Sequence, residues 1–366
     1  MTVELAPACE VRPPSLYECV RDQLDELAGA LGLGSEQPLI ARTHQLLSAE
    51  SAAYPVTRPP PRRSTLNADG TPLQLSLTLG WSGARLAFLS DVGEPALSTA
   101  ERMVAGRARV RELAELTGAQ RAVERIEPLV DTMAPAGNPQ LLSEPAGAFW
   151  IGAGFAPGRS PTLKLYVNAR WGEEGARWAR LAEFAAQLGA GVAWREVREL
   201  VAEELEPLGV ALAANPDGAI AGRIYVSGYG KTWEYLEALG RAYGGAVYGE
   251  RLRDCAQTLL ADDHAYPTRS VVCSFELLAG RLGDVKVELC GHCAFDSDRQ
   301  ARERCEQWLR DDQQALDVYT RVTNLLSGGS LSATQTTLHS YMGLGSGHSR
   351  TLYFNPAGTR PPDGGA

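Results

Sequence analysis

The chain is built from a unit that recurs five times, in which two helical patterns are followed by two strand patterns. The second strand of each unit carries a cation on it or at its mouth, and these cations recur roughly 60 to 80 residues apart. They are Arg85, Lys164, Arg223, Lys286 and Arg350. Because side chains alternate between the two faces of a strand, a cation in an apolar strand points either to water or into a polar lumen. Five cations at equivalent places predict a polyanion held inside a closed sheet.

The repeat predicts the α+β class and a ten-stranded antiparallel β-barrel of five ααββ repeats, because closure leaves no exposed strand edge. Leu181, Phe184 and Leu188 follow helical spacing, so the helices are expected to pack as an outer ring. A ten-stranded barrel is wide enough to hold ligands, which makes the lumen the predicted active site. We expect one barrel domain over residues 1–357 and a disordered tail over 358–366. Two separate α+β domains are the alternative, although no stretch between units has the length of a domain linker.

Composition narrows the classes of partner. The net charge of −9 argues against nucleic acid, whose binding requires basic surface. No segment approaches the apolar length of a membrane helix, and the first residues are too polar for a signal peptide. Seven cysteines without regular spacing fit reduced thiols. These features predict a cytoplasmic protein without a membrane partner.

Four strand motifs stand out: TPLQLS with Gln74, KLYV with Lys164 and Tyr166, RIYV with Arg223 and Tyr225, and RTLYFNP with Tyr353. In this order they resemble the motifs of the indole prenyltransferases of the dimethylallyltryptophan synthase type. KVELCGHC and SYMGLGSG are similar to the bacterial branch. The resemblance implies the five-unit barrel of the aromatic prenyltransferases. It also implies transfer of a prenyl group from a prenyl diphosphate, dimethylallyl by default, to an indole or tryptophan-type acceptor. No cofactor and no obligatory metal are expected, and the chain would act as a monomer or homodimer.

The resemblance also implies roles for single residues. The five cations would bind the diphosphate, and Tyr341 is assigned to the same substrate-binding set and as a further candidate for the aromatic shield. Tyr166, Tyr225 and Tyr353 would shield the allyl cation, because aromatic faces stabilise cations and exclude water. Tyr166 and Tyr225 each follow their cation by two residues and therefore share its face.

The acceptor end of the site is less well specified. Gln74 would orient the acceptor, and Glu288 or His292, on the face of Lys286, are candidates for the final base. Each of the two is as readily a structural hydrogen-bonding partner.

Departures from the family pattern leave the acceptor open. Gln74 stands where the family has a glutamate that accepts the indole N–H, and glutamine cannot take up a proton. Ala221 replaces a second basic residue, the strand GAFWIGAGF lacks a lysine, and the fourth strand lacks a tyrosine. The alternatives are the same chemistry on a carbazole, phenol or tyrosine acceptor, or a non-catalytic barrel that binds an anionic small molecule.

Four other motifs carry weaker predictions. CGHC at 290–293 mimics a thiol-oxidoreductase site, but it falls inside a strand pattern, and the other cysteines do not supply further zinc ligands. GYGKT lacks the first glycine of a phosphate-binding loop, and GLGSG predicts a hairpin turn. The pairs Asp262–Asp263 and Asp311–Asp312 lack the third acid of a DDxxD motif, so solvated helix ends are expected.

Overall fold

The protein is described by a computed structural model, which covers residues 13–80, 83–134, 149–201, 204–228, 230–260 and 271–356. Within these ranges pairs of helices and pairs of strands alternate as predicted, with one short helix in addition, Gly291–Ala294. The helices are α1 Leu16–Ala30, α2 Gln37–Ser48, α3 Thr99–Thr117, α4 Gln120–Met133, α5 Glu174–Gln187, α6 Gly191–Val201, α7 Trp233–Gly244, α8 Ala246–Leu260, α9 Gly291–Ala294, α10 Asp298–Leu309 and α11 Gln313–Ser327. The strands are β1 Leu73–Gly80, β2 Gly83–Ser90, β3 Phe149–Phe155, β4 Thr162–Asn168, β5 Glu206–Ala214, β6 Ile220–Gly228, β7 Val271–Leu278, β8 Arg281–Cys290, β9 His339–Gly345 and β10 Arg350–Phe354.

The ten strands form one closed barrel in which neighbours in sequence are neighbours in space. All pairs are antiparallel, and the barrel closes where β1 pairs with β10, with Leu75 opposite Phe354 and Leu79 opposite Arg350. The predicted α+β barrel of five ααββ units is therefore confirmed. The ends of the proposed domain 1–357 and the tail 358–366 lie outside the described residues, so those boundaries stay a prediction.

The hydrophobic core lies between the barrel and the helices. On β4, Leu163, Leu165 and Val167 alternate outward and are fully buried against the helix layer. Leu181 and Phe184 of α5 are buried from the other side, as their helical spacing predicts. Because apolar residues occupy this outer layer, the inner face of the barrel is free to carry polar side chains.

Two element boundaries differ from the sequence-based prediction. The sequence predicts a helix through residue 207, but β5 begins at Glu206, which pairs with Ser227 of β6. Barrel pairing thus overrides the helical propensity of this segment. The sequence also predicts a strand through CGHCAF, but β8 ends at Cys290 and α9 follows. At Gly291 a β-carbon would lie 2.2 Å from the carbonyl oxygen of His339, so only glycine allows this close turn at the barrel rim.

No helix in the described ranges has both the length and the apolar composition required to cross a membrane.

Candidate active site

The barrel lumen contains two cavities that meet at a layer of tyrosines. The smaller, with a volume of about 210 Å³, is named here the lower chamber, and the larger, of about 400 Å³, the upper chamber. Tyr166, Tyr225 and Tyr353 line both cavities, and we call these three residues the tyrosine layer. They come from β4, β6 and β10, so the layer spans the lumen from separate parts of its wall.

Four of the five predicted cations line the lower chamber: Arg85, Lys164, Arg223 and Lys286. They come from β2, β4, β6 and β8, the second strands of the first four units. Hydroxyl groups of Ser76, Thr78 and Thr351 from the β1–β10 seam line the same cavity. The chamber thus presents cations and hydrogen-bond donors to one small volume, the chemistry that suits a phosphate group.

Two of these cations are neutralised by carboxylates and two are not. Arg223 pairs with Asp284 at 3.1 Å and lies 4.0 Å from Glu276. Lys286 pairs with Glu288 at 2.6 Å.

Neither Arg85 nor Lys164 has an ion-pair partner among the residues that the structure covers, and Nη2 of Arg85 is buried without a hydrogen bond. A buried polar atom without a partner costs free energy, so this pair of cations is suited to an external anion. The inner face of β3 makes room for Arg85, because a β-carbon at Gly154 would lie 2.6 Å from its guanidinium.

The crowding of positive charge shifts the protonation of the lysines. Burial, and then the neighbouring Arg85, Lys286 and Arg223, lower the pKa of Lys164 well below its usual value. Burial also lowers the pKa of Lys286, although Glu288 opposes that shift. For Arg223, burial lowers the pKa, but the adjacent anionic and phenolic groups, Asp284 among them, raise it above its usual value. An anion bound in the lower chamber would favour the protonated form of both lysines.

The tyrosine layer is neutral and closely packed. The ring centroids of Tyr166 and Tyr225 are 5.8 Å apart, and Nζ of Lys286 lies 4.8 Å from the ring centroid of Tyr353. Burial is the main cause that raises the pKa of all three phenols, so their rings stay uncharged near neutral pH. The Tyr353 hydroxyl donates to Glu288 at 2.5 Å and accepts from Lys286 at 2.8 Å.

The upper chamber is larger and more apolar than the lower one. Its wall includes Leu66, Leu89, Trp150 and Val272. Apart from its tyrosines, its polar lining residues are Thr65, Gln74, Asn168, Arg170, Ser227, Glu288, Cys290 and His292.

Hydrogen bonding fixes the orientation of one of these polar groups. The Gln74 amide nitrogen donates to the Leu66 carbonyl at 2.9 Å, which leaves the amide oxygen as the acceptor available to a ligand. The chamber can therefore enclose an aromatic molecule above the tyrosine layer.

Arg350 does not belong to this site, contrary to the sequence-based prediction. Its guanidinium pairs with Asp312 at 3.3 Å and lies 5.8 Å from the Trp308 ring, both on the helix side of the barrel wall. Arg350 and Tyr353 are three residues apart in one strand and therefore point to opposite faces. Asp312 also caps α11, and both it and Asp311 are exposed, so the expectation of solvated acids at this helix end is confirmed.

The remaining predicted positions are distributed as follows. Tyr341 lines the upper chamber and not the lower, so its expected place among the diphosphate ligands is not supported by its position. Glu288 and His292 line the upper chamber as well. Asp262–Asp263 and Tyr229 of GYGKT lie outside the described residues. Of GLGSG, Gly343–Gly345 end β9, and Ser346 and Gly347 lie in the predicted β9–β10 hairpin turn.

Several lining residues were not predicted from the sequence, among them Trp150, Arg170, Glu276 and Asp284. Trp150 lies opposite Tyr166 in the β3–β4 register. Arg170 continues the inward series of even-numbered residues that begins at Lys164, so the alternation could have identified it. Glu276 and Asp284 meet Arg223 from two other strands, and no spacing in the sequence reports that contact.

Comparisons with solved structures identify the fold. Over 97% of its length, the chain superimposes on 5-dimethylallyl tryptophan synthase from Streptomyces coelicolor, solved in complex with DMASPP and Trp, with a TM-score of 0.81, 20% identity and 99% of that protein covered. The prenyltransferase PriB matches over 96% of this chain and 100% of its own, with a TM-score of 0.81 and 23% identity. AnaPT from Neosartorya fischeri matches with a TM-score of 0.67 and 13% identity, over 96% of this chain and 97% of its own.

No protein-family model matches the sequence, and no curated protein matches it either. At these identities the superposition establishes architecture, and the expected five-unit barrel agrees with it in strand number and closure. The chain therefore has the ten-stranded barrel fold of the dimethylallyltryptophan synthases.

Proposed function

We propose that this chain is an aromatic prenyltransferase that requires no obligatory metal. It would move an allylic group, dimethylallyl by default, from a prenyl diphosphate to an electron-rich aromatic acceptor of the indole class. The observation that carries the proposal is the division of one lumen into a cationic chamber and an apolar chamber, separated by neutral tyrosines. That division matches a substrate whose anionic and hydrocarbon halves must come apart.

The diphosphate would bind in the lower chamber. Within the described part of the chain, Arg85 and Lys164 have no internal anion to displace, whereas Arg223 would share its positive charge between the ligand and Asp284. Charge-assisted hydrogen bonds from guanidinium and ammonium groups are stronger than neutral ones and stabilise the leaving group as its charge grows. The cations thereby supply electrostatic stabilisation without a metal ion.

The prenyl group would lie at the tyrosine layer when its bond to oxygen breaks. The electron pair of that C–O bond leaves with the diphosphate, and the allyl cation that remains faces the rings of Tyr166 and Tyr225. A carbon of the acceptor ring then forms the new C–C bond from the upper chamber. The ring proton is lost last, and Glu288 is the candidate base because its carboxylate lies at the boundary of the two chambers, hydrogen-bonded to Tyr353.

The acceptor would bind in the upper chamber with its heteroatom near Gln74. Tryptophan is the default acceptor, since the superimposed S. coelicolor synthase was solved with Trp. Arg170 supports this choice, because it is a cation at the same chamber and suits the carboxylate of an amino acid. Gln74 favours a phenol or carbazole acceptor instead. These rings are nucleophilic enough to react without a carboxylate that accepts an indole N–H proton.

The proposal is tested by turnover of the EDTA-treated protein with dimethylallyl diphosphate and a panel of acceptors, read by mass spectrometry. The panel contains tryptophan, a cyclic dipeptide, tyrosine and a hydroxycarbazole. A gain of one prenyl unit on any acceptor supports the proposal, and Gln74→Glu should then shift preference towards indoles. Binding of the diphosphate without product from any acceptor, including a repeat with geranyl diphosphate, would instead favour a non-catalytic anion-binding barrel.

A further inference from the structure

Three potential metal ligands converge at the rim of the upper chamber, and the proposed reaction does not use them as a set. Cys290, His292 and Cys293 bring two sulfur atoms and an imidazole nitrogen to within 4.8 Å of one another. The Cys290 sulfur lies 3.0 Å from Nδ1 and 3.6 Å from Nε2 of His292. These are the cysteines and histidine of the CGHC motif, for which sequence reasoning predicted no zinc site.

The backbone holds this cluster in place. Cys290 is the last residue of β8 and the N-cap of α9, and the short helix brings His292 and Cys293 back towards it. Gly291 packs directly on the His339–Ser340 backbone of β9, where a side chain would collide with the His339 carbonyl. The three ligands are therefore carried by a turn that is anchored on both sides and not by a free loop.

The separations of the three ligands are compatible with a zinc ion. Zn–S bonds near 2.3 Å and Zn–N bonds near 2.0 Å, at tetrahedral angles, place sulfur and nitrogen roughly 3.6 Å apart and two sulfurs roughly 3.8 Å apart. The Cys290 sulfur lies 3.0 and 3.6 Å from the two ring nitrogens of His292, and the three donor atoms all lie within 4.8 Å of one another, so adjustments of up to about one ångström would bring them to these separations. Two thiolates and one imidazole form the soft donor set that selects zinc over magnesium or calcium.

We propose that Cys290, His292 and Cys293 form a zinc site whose fourth position opens on the acceptor end of the lumen. Cys290 and His292 both line the upper chamber, so the vacant coordination position is accessible to water or to an oxygen donor of a bound molecule. His292 also lines a neighbouring cavity of about 420 Å³ with Arg63 and Ser64, and its side chain is exposed, which gives the ion a path from solvent.

One of the three ligands, Cys290, also has a supporting contact. The Tyr341 hydroxyl is hydrogen-bonded to the Cys290 thiol, and such outer contacts orient metal ligands and tune their affinity. Zinc binding would release the thiol protons of both cysteines, so uptake should be accompanied by proton release. The inference is independent of prenyl transfer, because an ion at this rim is not needed to bind the diphosphate in the lower chamber.

The test is metal binding to the full-length protein in the absence of substrates. The protein is stripped with EDTA under reducing conditions, dialysed against excess Zn²⁺ and then against buffer, and its zinc content is measured by plasma mass spectrometry. A parallel titration with Co²⁺ reads the thiolate-to-cobalt charge-transfer absorption. We expect one zinc per chain and a saturable cobalt spectrum, both lost in Cys290→Ser and Cys293→Ser.

Matched variants separate this site from adventitious binding. Cys19→Ser on α1 removes a cysteine outside the cluster and should retain the metal, while Tyr341→Phe should weaken binding by about tenfold or more. Unchanged thermal melting of each variant checks the fold. Absence of zinc in the reduced wild-type protein, equal zinc in Cys290→Ser, or a Cys290–Cys293 disulfide that persists under reduction would overturn the proposal. None of these results bears on the turnover assay, so the two proposals fail separately.

Discussion

Two clusters of buried charge in this protein are built in opposite ways. Asp298 at the start of α10 is almost fully buried and accepts five hydrogen bonds, from Thr337, Leu338 and His339. His339 in turn hydrogen-bonds the Tyr319 hydroxyl at 2.9 Å. The lower chamber instead contains Arg85 and Lys164 without an internal counter-ion within the described part of the chain. One cluster is satisfied by the fold, and the other is left to be satisfied by a ligand.

The difference separates structural charge from functional charge. Hydrogen bonds hold the pKa of Asp298 below its usual value although burial alone would raise it, so the carboxylate stabilises the folded chain. The pKa of Lys164 is lowered, first by burial and then by neighbouring cations, so its charge costs folding free energy until an anion binds. Substitutions in the lower chamber should therefore reduce mainly activity, and substitutions in the Asp298 cluster should reduce mainly stability.

Removing Lys164 should have the largest effect on activity. We expect Lys164→Met to lower kcat/KM for prenyl transfer by roughly 100- to 1000-fold, because an electrostatic stabiliser of the leaving group is lost. Its melting temperature should stay equal or rise, since an unpaired buried charge is removed. Arg350→Met, a cation of the same repeat that lies outside the lumen, is the control and should keep its turnover. Normal turnover by Lys164→Met would remove the lower chamber from the mechanism.

Asp298→Ala should show the reverse pattern. Loss of the carboxylate leaves five donors, one of them the ring of the buried His339, without their acceptor. We therefore expect the free energy of unfolding to fall by about 3–5 kcal/mol. Activity per folded molecule should be unchanged, because Asp298 lines neither chamber. Denaturant titration measures the first quantity, and turnover normalised to folded protein measures the second. A variant that stays stable but loses turnover would contradict the division between the clusters.

The tyrosine layer should control the fate of the allyl cation. Tyr225→Ala removes an aromatic face worth about 2 kcal/mol in a desolvated site, which predicts a drop of roughly thirtyfold in product formed per diphosphate consumed. Tyr225→Phe retains the face and should keep most of that yield. Chromatography of the same reaction measures the amounts of prenylated product and of prenyl alcohol separately. Equal alcohol release by the two variants would mean that the ring does not shield the cation.

The smallest expected effect is on pH dependence. The diphosphate binds the protonated lysines, so its affinity should fall by up to about tenfold per pH unit once pH exceeds the lowered pKa of Lys164. The stability of the unliganded protein should change in the opposite direction. The pKa of Lys164 is lower in the folded chain than in the unfolded chain, so the free energy of unfolding increases as pH rises from the folded towards the unfolded pKa. Calorimetry in alkaline buffers, where the charge of the ligand is constant, checks the affinity. Lys164→Arg, which stays charged, should flatten the profile.

The sequence alone predicts those features of the site that depend on the side-chain alternation within a single strand. Side-chain alternation is set by covalent geometry, so Lys164 and Tyr166, or Arg223 and Tyr225, could be assigned to the same face from the sequence alone. The same rule excludes Arg350 and Tyr353 from sharing a face, which is why the prediction that both face the lumen was wrong for Arg350. The five-unit repeat predicted the barrel because closure of ten hairpin strands leaves no unpaired edge.

Contacts between strands were not predictable in this way. Arg223 meets Asp284 only because the register of β6, β7 and β8, including an irregularity between Phe275 and Leu277, brings them together. The loop that carries Leu66 to the upper chamber has no periodic pattern from which its path could be derived. The lower chamber, made of strands, was thus better predicted than the upper chamber, which loops and the rim helix complete.

The β1–β10 seam affects how the protein folds during synthesis. Gln74 of the upper chamber lies on β1, and Tyr353 of the tyrosine layer lies on β10. These two strands pair with each other at the seam. Non-local pairing of this kind is slow, because the loop-closure entropy must be paid before the contacts form. During synthesis, the early strands wait with an unpaired edge until the tenth emerges, an interval in which aggregation competes with folding. The chambers are complete only when the ring closes, so a nascent chain can have most of its helices and still bind nothing.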